Sequence, residues 1–396
     1  MKRLFPYRLA LASAMIAGVF LPAVLLAAEL RFERHEIADY PATYQVAVAD
    51  MNGDGKPDVL ALSTQGNRVD WFENPGWQPH PIARTERNID LAPFDLDGRG
   101  KPGIAVASGF YFGEGNRGGE IRWLTAGPPG QLWASQHIAA DPVVHRLRWG
   151  DLDGDGRAEL VHAPIFGPGS RGTAQVRPSH LWAFRPPRQP GGVWEKWVID
   201  ETLTVIHGLY VGDLDGDGRA EILTASFEGI HRFDWKQGRW QKVHIAPGAP
   251  PVSDAPGAAR GSSEVVPVRL GPKRMLLAAV EPWHGHQLVV YEPGAERGFW
   301  RRQVLDDSLR EGHALAAADF DGDGQDEIVV GWRGGGGGIK LFHRNADGAA
   351  WRGVEIDRGV AVEGVVAADI NGDGRMDIVV GAGRNNKVLW YENRGP

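Results

Sequence analysis

Cysteine is absent from this 396-residue chain. Its absence excludes disulfides, thiolate metal centres and a lipid-modified cysteine. A basic tract is also missing and the formal charge is −7, which argues against a nucleic-acid partner. The first 28 residues stand apart: Lys2, Arg3 and Arg8 precede an apolar run from Leu9 to Ala28. That is the form of an export signal, with Ala27-Ala28 as the cleavage point. Left uncleaved, the same run would be a membrane anchor. Losing its three cations takes the charge from −7 to −10. The expectation is an export signal over 1–28, a single domain over 29–396, and a periplasmic or secreted protein. Without disulfides, such a chain must be held by core burial, ring closure and metal.

The most conspicuous feature present is a nine-residue acidic loop that occurs five times. Its oxygen-bearing side chains stand at positions 1, 3, 5 and 9. They are Asp50, Asn52, Asp54 and Asp58 in the first copy and Asp151, Asp153, Asp155 and Glu159 in the second. Asp213, Asp215, Asp217 and Glu221 form the third copy, and Asp319, Asp321, Asp323 and Glu327 the fourth. Asp369, Asn371, Asp373 and Asp377 form the fifth. Four oxygens on a backbone curled by glycines at positions 4 and 6 suit a hard cation, and calcium is the expected ion. Five divalent ions would offset the −10 almost completely. An EF-hand is excluded, because its twelfth-position Glu is Ala61, His162 and Thr224 in the first three copies.

Each loop is followed by a short β-rich run, such as DVLALS or EIVVGW, rather than by a helix. Aligned on the loops, the chain resolves into modules of four strands. An inner strand leads into the loop, a second follows it, a third ends in an aromatic and a turn, and a fourth reads like WQKVHI from Trp240. Two further modules are degenerate: one places Arg99 and Gly103 at positions 5 and 9, and one, from Glu264, has no acidic loop. The count predicts an all-β, seven-bladed propeller of four-stranded antiparallel blades. FERHEI, from Phe32 to Ile37, has the fourth-strand form but precedes the first inner strand, so it is expected to complete the last blade and close the ring. The 15 tryptophans read as packing between blades.

Six residues before the loop, at the start of the seven inner strands, stand Tyr44, Ile89, His145, His207, Ser263, His313 and Glu363. In a propeller these positions converge on one axial mouth, opposite the acidic loops. His284, His286, Glu281, Arg333 and the insert FYFGEGNRGGE from Phe110 lie in loops over the same face. Imidazoles with a carboxylate suit zinc or another divalent transition metal. The residues expected to act are therefore His145, His207 and His313, as metal ligands or base, assisted by Tyr44 and Glu363. His35, His80, His137 and His244 fall in fourth strands at the rim and are expected to be structural.

The loops and blades resemble the FG-GAP or VCBS repeats of integrin-α-like propellers over residues 31–396. GHALAAADFDGDGQDEIVVGWRG from Gly312, the WFENPG and WYEN turns and the W-x3-H-I strands further resemble the propeller of aldos-2-ulose dehydratase and related keto-sugar lyases. The resemblance implies metal-assisted β-elimination from a keto sugar or glycoside. The rival expectation is a non-catalytic, calcium-stabilised propeller that binds glycans or proteins.

Overall fold

The computed structural model describes residues 30–128, 130–294, 298–345, 348 and 350–395; the expected export signal lies outside them. Among the described residues no helix is long and apolar enough to cross a membrane. Seven four-stranded antiparallel sheets form the chain. Blade 1 shows the pattern, with strands Thr43–Ala49, Asp58–Ser63, Arg68–Glu73 and Gln78–Ala83 running from the axis to the rim. The second strands are buried almost throughout, and DVLALS, EILTAS and DIVVGA are buried from end to end. Neighbouring blades cover both their faces, which is why they read as continuous apolar runs rather than alternating ones.

Ring closure follows the expectation. Phe32–Asp39 pairs antiparallel with Lys387–Asn393, from Phe32 opposite Asn393 to Asp39 opposite Lys387. The first described strand thus becomes the rim strand of blade 7, and among the described residues every named strand belongs to one of the seven sheets.

The tryptophans divide between two jobs. Trp123, Trp149 and Trp194 pack together at the boundary of blades 2 and 3, with ring centroids 5.6 to 6.2 Å apart. At the rim, Trp71 stacks on His80 and Trp390 on His35, at 4.1 and 4.6 Å. These two histidines also pair with Glu73 and Glu392. His244 stacks on His231, so three of the four rim histidines are packed against rings, while His137 is exposed and sits 3.4 Å from Glu120.

Carboxylates at the ends of fourth strands fasten one blade to the next. Asp200 accepts from Lys242 at 2.9 Å, and Asp306 accepts from Lys340 at 2.6 Å. Burial alone would raise Asp306, but its hydrogen bonds to Lys340 and Ser308 outweigh burial and hold it below the usual range. A lowered folded pKa means stability that is complete above the unfolded value near 4 and is lost as pH falls through the folded value. Asp306→Asn should therefore flatten the acid limb of a pH–stability curve and cost about 1 kcal/mol at neutral pH, read by urea titration.

Candidate functional site

The five acidic loops sit at the far ends of the inner strands from the axial cluster. In each, the position-1 aspartate accepts backbone N–H bonds, from Gly53 and Gly55 to Asp50 at 2.7 and 2.8 Å, for example. Those glycines have φ of +80° and +86°, which a side-chain-bearing residue adopts only under strain. The position-9 carboxylate is buried at the head of the second strand and accepts from the residue after position 1, as Glu327 does from Phe320 at 2.8 Å. Repulsion among these acids is thus relieved partly by the loop's own amides. The degenerate loop of blade 2 keeps the same curl, with Asp95 accepting from Gly100 at 2.6 Å.

The loops differ in one respect that their shared pattern conceals. In blade 3, Arg185 reaches Asp153 at 2.5 Å and Glu159 at 2.9 Å, placing a cation among the carboxylates. In blade 6, Asp319, Asp321 and Glu327 converge with no Lys or Arg ion pair among the described residues. Burial, with Asp321 and Asp323 beside it, pushes Glu327 up to about 8.

At the opposite end of the inner strands the seven blades meet in a cluster of imidazoles. His207, His284 and His313 bring ring nitrogens within 4.8 Å of one another. Nε2 of His207 and Nε2 of His284 are 2.9 Å apart. The backbone fixes two of these rings. Nδ1 of His313 lies 2.7 Å from the Glu363 carbonyl, and Nδ1 of His207 lies 3.0 Å from the Ser263 carbonyl. A carbonyl only accepts, so both Nδ1 atoms carry the proton and both Nε2 lone pairs face the hub. Glu264 adds a carboxylate 2.9 Å from Nδ1 of His207. This is the outer support typical of a metal-binding histidine. Burial is the main cause that keeps His207, His284 and His313 below the ordinary imidazole value, hence neutral. The donor set, three neutral imidazoles with at least two lone pairs aimed inward, fits a divalent transition metal.

The other expected residues surround this group. Tyr44 Oη lies 3.2 Å from Nε2 of His313 and 3.4 Å from Nε2 of His145. Burial pushes Tyr44 up to about 12, so it is a protonated phenol, not the phenolate that a base would require. His145 contacts the ring of His207 at 4.6 Å, and its buried Nδ1 has no hydrogen-bond partner. Glu363 turns its carboxylate to Arg333 at 2.7 Å and offers its carbonyl to His313. Ile89 points into the core between blades 2 and 3 and takes no part. His286 is exposed, and Glu281 is buried against Tyr291, Ser262 and Arg302, so neither reaches the hub.

Three residues outside the expected acting set complete the site. His284, rather than His145, is the third member of the imidazole group. Arg146 is 3% exposed, holds Glu264 at 2.9 Å and leaves Nη1 unpartnered. Burial would raise Glu264, but the Arg146 charge and the His207 hydrogen bond keep it ionised. The available signals were the WHGH loop for His284 and, for Arg146, its place beside His145. For Glu264 the signal was of the same kind as for Arg146, its place beside Ser263 at the start of the blade 5 inner strand.

Residues 50–106 and 319–380 match the FG-GAP-like repeat family, and residues 118–294 match the family described as aldos-2-ulose dehydratase, beta-propeller domain. FG-GAP-like repeats are thus present in those two stretches of the seven-bladed propeller. It is 26% identical over 313 residues to aldos-2-ulose dehydratase of Phanerodontia chrysosporium, covering 72% of this chain and 33% of that protein. The chain thus spans about a third of the length of that curated relative. Among solved structures, a chain of the BBS1N complex with ARL6DN superposes with TM-score 0.59 at 13% identity, covering 91% of this chain and 96% of its own. That likeness is one of fold. A chain of the exotype rhamnogalacturonan lyase YesX covers 94% of this chain and 75% of its own, with TM-score 0.49 and 15% identity.

Proposed function

We propose that this chain is an exported carbohydrate lyase that eliminates water or an alcohol from a keto sugar or glycoside at the axial hub, with calcium in the acidic loops. The observation carrying this reading is the trio His207, His284 and His313, two of whose Nε2 lone pairs are fixed inward by backbone carbonyls. The similarity to aldos-2-ulose dehydratase supports the substrate class. The charged start and apolar run of residues 1–28 support export.

Zinc or a similar ion held by the trio would supply Lewis-acid polarisation of the sugar carbonyl, which acidifies the adjacent C–H. The remaining groups divide the proton work. His145, kept neutral by burial and then by the Arg146 charge, has a free Nδ1 to take the carbon-bound proton. The C–H electron pair becomes the new C=C bond and the C–O bond breaks. Tyr44 gives its phenolic proton to the departing oxygen. His145 Nε2 lies beside Tyr44 Oη and can give its proton to the phenolate, which returns both groups to neutrality with the His145 proton on Nδ1; exchange with water moves it back to Nε2 before the next turnover. Tyr44→Phe should lower kcat by roughly 10²-fold with metal content unchanged, the usual scale of one general acid.

The deciding experiment joins metal analysis of the purified protein to an ultraviolet assay for unsaturated products from keto sugars. A transition metal near one per chain, with product formed, is the expected result. Calcium alone and no product would overturn the lyase. One observation favours the rival reading: His145, His207 and His313 are each only 1% exposed. A hub so closed could serve as a staple in a propeller that binds glycans without turnover, and that reading predicts glycan binding with no product.

A further inference from the structure

A second polar site lies beside the hub, built from two insertions that each join the second and third strands of a blade. Residues 109–119 of blade 2 and 164–180 of blade 3 lock together, with Gly115 N–H donating to the Ser170 carbonyl at 3.0 Å and Gly169 N–H donating to the Gly115 carbonyl at 2.8 Å. A side chain at Gly115 would place its Cβ 2.4 Å from the Ser170 nitrogen, so glycine is what allows the lock. Ser170 Oγ tightens it further, donating to the Gly167 carbonyl at 2.7 Å and accepting from the Arg177 amide at 2.9 Å.

Between the insertions is a cleft of about 620 Å³ lined by Arg117, Arg171, Arg177 and a single carboxylate, Glu114. Arg117 takes that carboxylate at 3.3 Å and lies over the Tyr111 ring. Arg171 and Arg177 have no side-chain hydrogen bond or ion pair among the described residues, and both are exposed. Two exposed guanidinium groups thus share one cleft whose single carboxylate, Glu114, is already taken by Arg117.

The cleft is joined to the hub by aromatic rings. Phe112, next to the cleft residue Gly113, is 51% exposed despite its apolar side chain. Its ring is almost parallel to that of Trp283, at 7° and 6.5 Å between centroids. Trp283 in turn stacks on His284 of the imidazole trio at 4.4 Å. An exposed ring and a half-buried one leading from a cationic cleft to a partly exposed hub imidazole match a sugar chain, whose C–H faces stack on aromatics while its charged substituents seek guanidinium.

We propose that Arg171 and Arg177 bind an anionic substituent, carboxylate or sulfate ester, of a glycan whose adjoining sugar stacks on Phe112 and Trp283 and whose reacting sugar reaches the hub. The inference rests on the carbohydrate reading above and narrows it to acidic glycans. Binding tests it separately from turnover. Titration calorimetry of the full chain with a galacturonate tetrasaccharide, a sulfated galactan tetrasaccharide and a neutral galactan tetrasaccharide should show at least one anionic ligand bound about tenfold more tightly than the neutral one. That advantage should shrink with added salt. Arg171→Ala with Arg177→Ala should remove the advantage while melting temperature, hub metal content and neutral-ligand affinity hold. Phe112→Ala should weaken all ligands that bind. Equal binding of all three glycans, or an unchanged preference in the double variant, would overturn the proposal even if hub metal and turnover stand. Loss of hub metal chemistry with the anionic preference intact would overturn the lyase instead.

Discussion

His207→Ala should lose about one transition-metal equivalent per chain and at least about 10³-fold in kcat/KM, the several kcal/mol that Lewis-acid polarisation supplies. His207 is singled out because three kinds of support converge on it. Its Nδ1 is held by the Ser263 carbonyl and the Glu264 carboxylate, and its Nε2 lies 2.9 Å from that of His284. Removing the ring leaves Glu264 still matched by Arg146, so no bare charge is stranded in the hub. The fold should survive, and circular dichroism with a melting curve checks that it does. His80→Ala serves as the control, since His80 pairs with Glu73 and stacks on Trp71 at the rim. If His207→Ala retained both metal and turnover, the imidazole trio would have no part in the chemistry.

Removing the strand Phe32–Asp39 should lower the melting temperature and promote aggregation, because its seven ladder pairings with Lys387–Asn393 are lost and that strand becomes an open edge. The loss uncovers the edge Lys387–Asn393, which includes the buried residues Val388, Leu389 and Tyr391. It also removes Ile37, which is 7% exposed in the closed ring. An unpaired edge of that kind invites pairing with a second chain. Light scattering and thermal melting of residues 40–396 against 30–396 give the comparison. Equal melting temperatures would mean that the ring does not depend on this closure. Supplying the peptide FERHEIAD in trans should restore part of the stability, which simple loss of buried area would not predict.

The blade count and the closure were legible because both are local. A loop that needs oxygens at fixed offsets, followed by a strand buried on both faces, writes the same nine to fifteen letters wherever it recurs. FERHEI carries the fourth-strand form although its partner, Lys387–Asn393, is more than 300 residues away. The convergence of Tyr44, His145, His207 and His313 was legible for the same reason, since equivalent strand positions in a closed ring share an axis.

What the sequence could not supply was the interior arrangement of that axis. Loop length and backbone path place His284 among the imidazoles, and neither can be read from the letters WHGH. The same holds for Arg185, whose side chain enters the blade 3 loop from a strand 26 residues beyond Glu159. Repeat pattern thus determined how many sheets there are, how they close and which strand ends meet. Tertiary structure decided which nitrogen faces the hub, which proton stays on Tyr44 and which loop already holds a cation, because these depend on distances of a few ångströms between side chains from different blades.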